Sequence, residues 1–89
     1  MKHFTDPEFW KCYEHLLPAV QTAADKQFER LKSNHKHPSL KFKRIGKYWA
    51  ARVNLNTRAL AVASGDDFIW FWIGGHQEYD RIVDGQKRR

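Results

Sequence analysis

Sulfur is scarce in this chain of 89 residues, which carries one cysteine and one methionine. A lone cysteine, Cys12, excludes an internal disulfide and suits a reducing compartment. It falls in an apolar helical pattern, which reads as a small buried hydrophobe rather than a reactive thiol. Long apolar runs are also missing. The unbroken run over 68–73 is too short to cross a bilayer. Met1-Lys2-His3 leads into polar residues, not into the apolar stretch of a secretory signal. A cytoplasmic protein with no membrane contact is therefore expected. His35 and His37 stand two apart with no cysteine or carboxylate near them, so neither a metal site nor a cofactor is expected. There is no internal repeat, low-complexity tract or linker. The length supports one domain, 1–89, around one modest core, and a hydrophobic content of 42% is enough to fold it.

The most informative absence is acidic. Between Lys32 and Gly65 there is no Asp or Glu, yet the interval holds Lys32, Lys36, Lys41, Lys43, Arg44, Lys47, Arg52 and Arg58. Charges placed only for solubility mix signs. With a net charge of +6, a one-sign segment inside a folded domain points to an anionic partner, nucleic acid first. A solvated basic face, or a docking surface for an acidic protein segment, is the alternative.

Taken in order, residues 3–5 read as a short edge strand. Asp6-Pro7-Glu8 is a helix start, with a capping carboxylate, proline at the first helical position and an acid in the first turn. Phe9, Tyr13 and Leu16, with Trp10 and Leu17 beside them, form one apolar stripe; His15 lies off it. Pro18 ends that helix and opens a second, whose stripe is Val20, Ala24, Phe28 and Leu31. Residues 33–39 are a loop. Alternation predicts strands over 40–45, 48–55 and 57–63. Gly46-Lys47 and Asn54-Leu55-Asn56 supply the turns between them. Ser64-Gly65-Asp66-Asp67 is a hairpin turn into a fourth strand. In the second strand Trp49, Ala51, Val53 and Leu55 share a face. Residues 78–84 read as a short terminal helix ended by Gly85, and 86–89 as a frayed basic tail.

The fourth strand organises the rest. Phe68-Ile69-Trp70-Phe71-Trp72-Ile73 is aromatic and β-branched throughout, the signature of a strand buried on both faces. The four tryptophans are accordingly read as core. Gly74-Gly75 then delivers His76, Glu78 and Tyr79, side chains able to move protons or bind phosphate. An ordinary loop and helix start is the plainer reading of these residues, and Glu78 reads as a helix-start acid, with orientation of His76 as its alternative.

These elements resemble a known family. Leu16-Leu17-Pro18 stands before the second helix, and His37-Pro38-Ser39-Leu40-Lys41-Phe42-Lys43 enters the sheet. Arg52 and Arg58-Ala59-Leu60 lie on middle strands, and Trp70-Phe71-Trp72-Ile73-Gly74-Gly75-His76-Gln77-Glu78-Tyr79-Asp80 closes the chain. In this order they resemble the RelE/ParE superfamily of toxins from bacterial type II toxin–antitoxin systems, over about 13–84. The resemblance implies an α+β fold: an N-terminal helical hairpin packed on a mainly antiparallel four-stranded twisted sheet, with a short C-terminal helix. It implies an mRNA endoribonuclease, acting with or without the ribosome, that inhibits translation. It places catalysis at Arg58, His76 and Tyr79 and the nucleic-acid lining at Lys41, Lys43, Arg44 and Arg52. A cognate antitoxin is the implied partner, beside mRNA and the ribosome, with a monomer when free. Two other readings share the sequence: a ParE-like gyrase poison without nuclease chemistry, and a non-catalytic nucleic-acid-binding module.

Overall fold

The structure, a computed structural model, describes residues 1–87. Strand β1 (His3–Thr5) leads into α1 (Pro7–Tyr13), whose start is capped as expected: the Asp6 carboxylate accepts the Phe9 amide. Pro18 opens α2 (Pro18–Ser33). The Tyr13 hydroxyl donates to Asp25 at 2.8 Å and the Gln21 amide to the Tyr13 carbonyl at 3.0 Å, fixing α1 against α2. Then come β2 (Lys43–Ile45), β3 (Tyr48–Asn54), β4 (Thr57–Ser64), β5 (Asp67–Gly75) and α3 (His76–Lys87).

The expected meander β2–β5 is antiparallel, and β1 adds a fifth strand, parallel to β5, giving the order β1-β5-β4-β3-β2. The sheet therefore has five strands rather than four. Helices α1 and α2 cover one face, where Phe9, Ala24, Leu31, Ala51, Ala59, Phe68, Trp70 and Ile73 form the larger core. Helix α3 covers part of the other, with Tyr79 and Val83 on Ala50 and Leu60. A bulge explains how β5 serves both. Leu60 pairs with Trp72 and Ala61 with Trp70, leaving Phe71 as the extra residue. Alternation breaks there, so Phe71 and Trp72 both reach the α3 side.

Several points differ from the sequence reading. The strand expected over 40–45 begins only at Lys43, because Pro38–Leu40 closes a 3₁₀ turn and Lys41 follows at φ 44°. Leu40 is fully buried all the same. Leu55 is exposed, because β3 ends at Asn54 and Leu55 sits in the turn. Trp10 is 45% exposed, unlike the buried Trp70; a short helix presents one side to the core, and Phe9 takes it. Helix α3 starts two residues earlier than expected and runs through Gly85, which has no positive φ and does not end it. The expected frayed tail lies partly outside the described residues.

His3 ties β1 to the core. Its Nδ1 accepts the Trp70 indole N–H at 3.0 Å, its ring stacks on Phe68, and Nε2 is buried without a partner. Burial, then the charges of His35, the N-terminus and Lys32, lower its pKa from 6.5, with Asp67 opposing. The unfolded chain therefore binds this proton more readily than the folded one. The His3 contribution is complete above about pH 6.5 and is lost as pH falls through the lower folded value. The urea midpoint should fall more steeply on acidification in the wild type than in His3→Gln. Parallel pH curves for the two proteins would contradict this.

Candidate active site

The end of β5 and the start of α3 meet the β3–β4 turn. Arg52 and Arg58 are cross-strand partners, so their side chains leave the same face. Arg58 pairs in turn with Gly74 of β5. A Cβ at Gly74 would lie 2.6 Å from Trp72 Cζ2, so only glycine leaves room for that indole beside the site. The His76 amide donates to the Asn56 carbonyl at 2.7 Å, locking the first residue of α3 to the turn.

Three of the expected residues gather here. His76 Nδ1 lies 3.0 Å from Asp80 Oδ2, one helical turn on, which leaves Nε2 to face outward. The His76 and Tyr79 rings are 5.8 Å apart, tilted by 49°. Asp80, which pairs with the His76 imidazole, also acts through its charge on Arg58, as does Tyr79. Both groups reach solvent: Arg58 is half-buried and His76 exposed.

Arg58 is held from behind. Its Nη1 donates to the carbonyls of Asn54 at 2.6 Å, Thr57 at 3.1 Å and Leu55 at 3.4 Å. Among the described residues, Nη2 and Nε donate no hydrogen bond. Burial, then neighbouring Arg52, lower the Arg58 pKa from its ordinary value, while Tyr79 and Asp80 raise it. The guanidinium stays charged regardless, since arginine titrates far above neutrality. Tyr79 is only 6% exposed, packed on Ala50, Leu60 and Val83. Burial raises its pKa, Arg58 lowers it and Asp80 raises it again. Its phenol is therefore a proton-bearing wall of the site. The ring is not open to stack on a base.

The expected basic lining divides. Arg52 joins the site, and Lys43, opposite Ala50, shares its face. Arg44, opposite Trp49, leaves by the α1–α2 face and donates from Nε to the Gly46 carbonyl at 2.9 Å. Lys41 borders a separate groove with His35, Lys36, His37, Phe42 and Trp49. Alternation fails at Lys41 because its backbone is left-handed, which strand periodicity does not foresee. Among the described residues no cluster of His, Cys, Asp or Glu could hold a metal, and no helix is long and apolar enough to cross a membrane.

Two features were not assigned from sequence. Asp80 holds His76, the place considered for Glu78, which instead stands in the first turn of α3. The i,i+4 spacing of His76 and Asp80 was the available signal. Gln27, 8% exposed, donates to the Arg52 carbonyl at 2.9 Å. It covers the edge of β3 beyond the last residue paired with β2, and nothing in the helical pattern marked it.

The class defined is a small α+β domain, a meander sheet flanked by helices with a cationic corner at the end of the last strand. Solved structures share the fold. The RelB–RelE antitoxin–toxin complex from Methanococcus jannaschii matches with a TM-score of 0.65 at 20% identity, over 88% of this chain and 96% of that one. A YoeB/ParE toxin from Agrobacterium tumefaciens matches at 0.63 and 16% identity, over 85% and 99%. A copper-bound mutant toxin from Helicobacter pylori matches at 0.58 and 11%, over 88% and 97%. No family model and no curated protein matches the sequence. The chain has the RelE/ParE-like toxin fold.

Proposed function

We propose that this protein is the toxin of a type II toxin–antitoxin system and that it cuts RNA. The observation that supports nuclease chemistry is that Asp80, which orients His76, also acts on Arg58, whose strand partner Gly74 lies two residues before His76. RNA is cut when its 2′-hydroxyl loses a proton and attacks the adjacent phosphorus. His76 Nε2 takes that proton and, through the five-coordinate intermediate, hands it to the departing 5′-oxygen. Nη2 and Nε of Arg58 grip two phosphate oxygens and hold the charge that builds there. Tyr79 keeps its proton and donates to the same oxygens. Arg52 and Lys43 hold the flanking backbone. The fold relatives, one of them solved as an antitoxin–toxin complex, support an antitoxin that covers this basic face. Messenger RNA, read on the ribosome or free in the cytoplasm, is the target, and the free toxin is a monomer.

Alanine at His76 should lower the cleavage rate by about 10²–10⁴-fold, the usual worth of a positioned acid–base group. The mutated side chain is exposed, so thermal unfolding should barely move. Purified wild type and His76→Ala, incubated with the same transcript, give the comparison. Undiminished cleavage by the variant removes His76 from the chemistry. Intact transcript with both proteins, together with inhibited gyrase supercoiling, transfers the protein to the gyrase-directed reading.

A further inference from the structure

Beyond the corner at Arg58 and His76, the sheet offers a second cationic feature. Strand β2 pairs with β3 only as far as Lys43 opposite Ala50. From Arg52 to Asn54 no strand among the described residues lies outside β3, and helix α2 runs alongside instead. Between them is a groove of about 300 Å³ whose lining includes Lys26, Gln27, Arg30, Ser39 and Arg52. No acid lines it.

The groove is built rather than a chance scatter of surface charge. Gln27 is nearly buried, and its amide nitrogen donates to the carbonyls of Arg52 at 2.9 Å and Ser39 at 3.4 Å. That fixes its carbonyl oxygen, which accepts from Arg30 Nη1 at 3.0 Å. The Ser39 hydroxyl meets the same Nη1 at 3.5 Å. Arg30 is thus aimed by neutral oxygens, which orient a guanidinium without cancelling its charge. The nearby acids of α2 are engaged elsewhere, Asp25 by the Tyr13 hydroxyl and Glu29 by Lys32. Lys26, Arg30 and Arg52 form no ion pair among the described residues. Lys26 and Arg30 in the groove, Arg30 partly shielded from water, and Arg52 at its rim lack counter-charges among the described residues, a cost that an anion would relieve.

Arg52 belongs to both features, since it lines this groove and lies cross-strand from Arg58. We infer that the groove between α2 and the open edge of β3 is a second phosphate-binding subsite, through which the RNA strand continues from the phosphate held at Arg58. The inference rests on the RNA-cutting reading and assigns the strand its path: over β3 at Arg52 and down to Arg30 and Lys26.

The test uses 2′-O-methyl RNA, which has no free 2′-hydroxyl and so binds without being cut. Oligonucleotides of about three and about ten nucleotides are titrated by fluorescence anisotropy across a range of salt. The wild type should bind the longer one more tightly and with a steeper salt dependence. Lys26→Ala combined with Arg30→Gln should weaken binding of the longer strand about tenfold. Its salt slope should fall by about 1.4, or ~0.7 for each phosphate that is no longer neutralised. Binding of the shorter one should stay unchanged. Lys26→Ala alone removes an exposed side chain that makes no hydrogen bond among the described residues, so it leaves the fold intact. It should show about half of that slope change. If variant and wild-type curves superimpose at both lengths while the wild type still cuts unmodified RNA, the subsite is overturned and the nuclease reading stands. Failure of the wild type to bind either length overturns both.

Discussion

If the protein cuts RNA as proposed, replacing Arg58 by alanine is expected to slow cleavage by about 10²–10³-fold, the range found when one charge-stabilising donor is removed from an active site. The loss should appear mainly in the rate at saturating RNA, because charge on the phosphate oxygens grows between bound substrate and transition state. Arg58→Lys separates charge from geometry. An ammonium cannot offer two parallel donors while also holding the Asn54 and Thr57 carbonyls. It should recover only a small part of the rate. Both variants free the carbonyls that Nη1 now satisfies, so the β3–β4 turn should loosen. Thermal unfolding measured beside the kinetics distinguishes a slower folded enzyme from an unfolded one. Full activity in folded Arg58→Ala would exclude Arg58 from catalysis.

The largest expected effect on stability is at Trp70. It is 2% exposed, lies in the larger core, and donates its indole N–H to His3. Trp70→Ala removes the ring, opens a cavity and strips His3 of its bond, for a loss of about 3–5 kcal/mol. That is a large share of the total expected for a domain of this size, about 5–15 kcal/mol. Trp10→Ala is the matched control: a half-exposed ring with one hydrogen bond, to Thr5. It should cost about 1 kcal/mol. Urea unfolding of the two variants reads both values. Equal losses would contradict the assignment of Trp70, and not Trp10, to the core.

Much of this architecture could be read from local chemistry. The start of α1 was legible because Asp6 and Pro7 act within a few residues of themselves. The meander was legible because short turns leave few ways to connect alternating strands. The nearness of Arg58 to the start of α3 followed from two facts of order: a middle-strand arginine, and a histidine delivered by the strand that pairs with it. What escaped depends on tertiary context. Lys41 adopts a left-handed backbone because the 3₁₀ turn before it must rejoin the sheet, so strand alternation does not place its side chain. The bulge at Phe71 is invisible in a run where every residue is apolar. Tyr79 had the right chemistry and the right neighbours, but α3 begins at His76, and three residues on its side chain turns toward the sheet. The role of Gln27 could not be foreseen, since it answers an open strand edge that exists only because β2 is short.

The most direct measurement is the chemistry of the RNA ends. A short transcript is incubated with the purified protein and its fragments are weighed by mass spectrometry, alongside the same transcript with 2′-deoxy nucleotides throughout. With His76 and Arg58 acting on one phosphodiester, the upstream fragment ends in a 2′,3′-cyclic phosphate, the downstream one begins with a 5′-hydroxyl, and the deoxy strand survives whole. A 3′-hydroxyl end, or cutting of the deoxy strand, would contradict attack by the 2′-oxygen and with it the roles given to both residues.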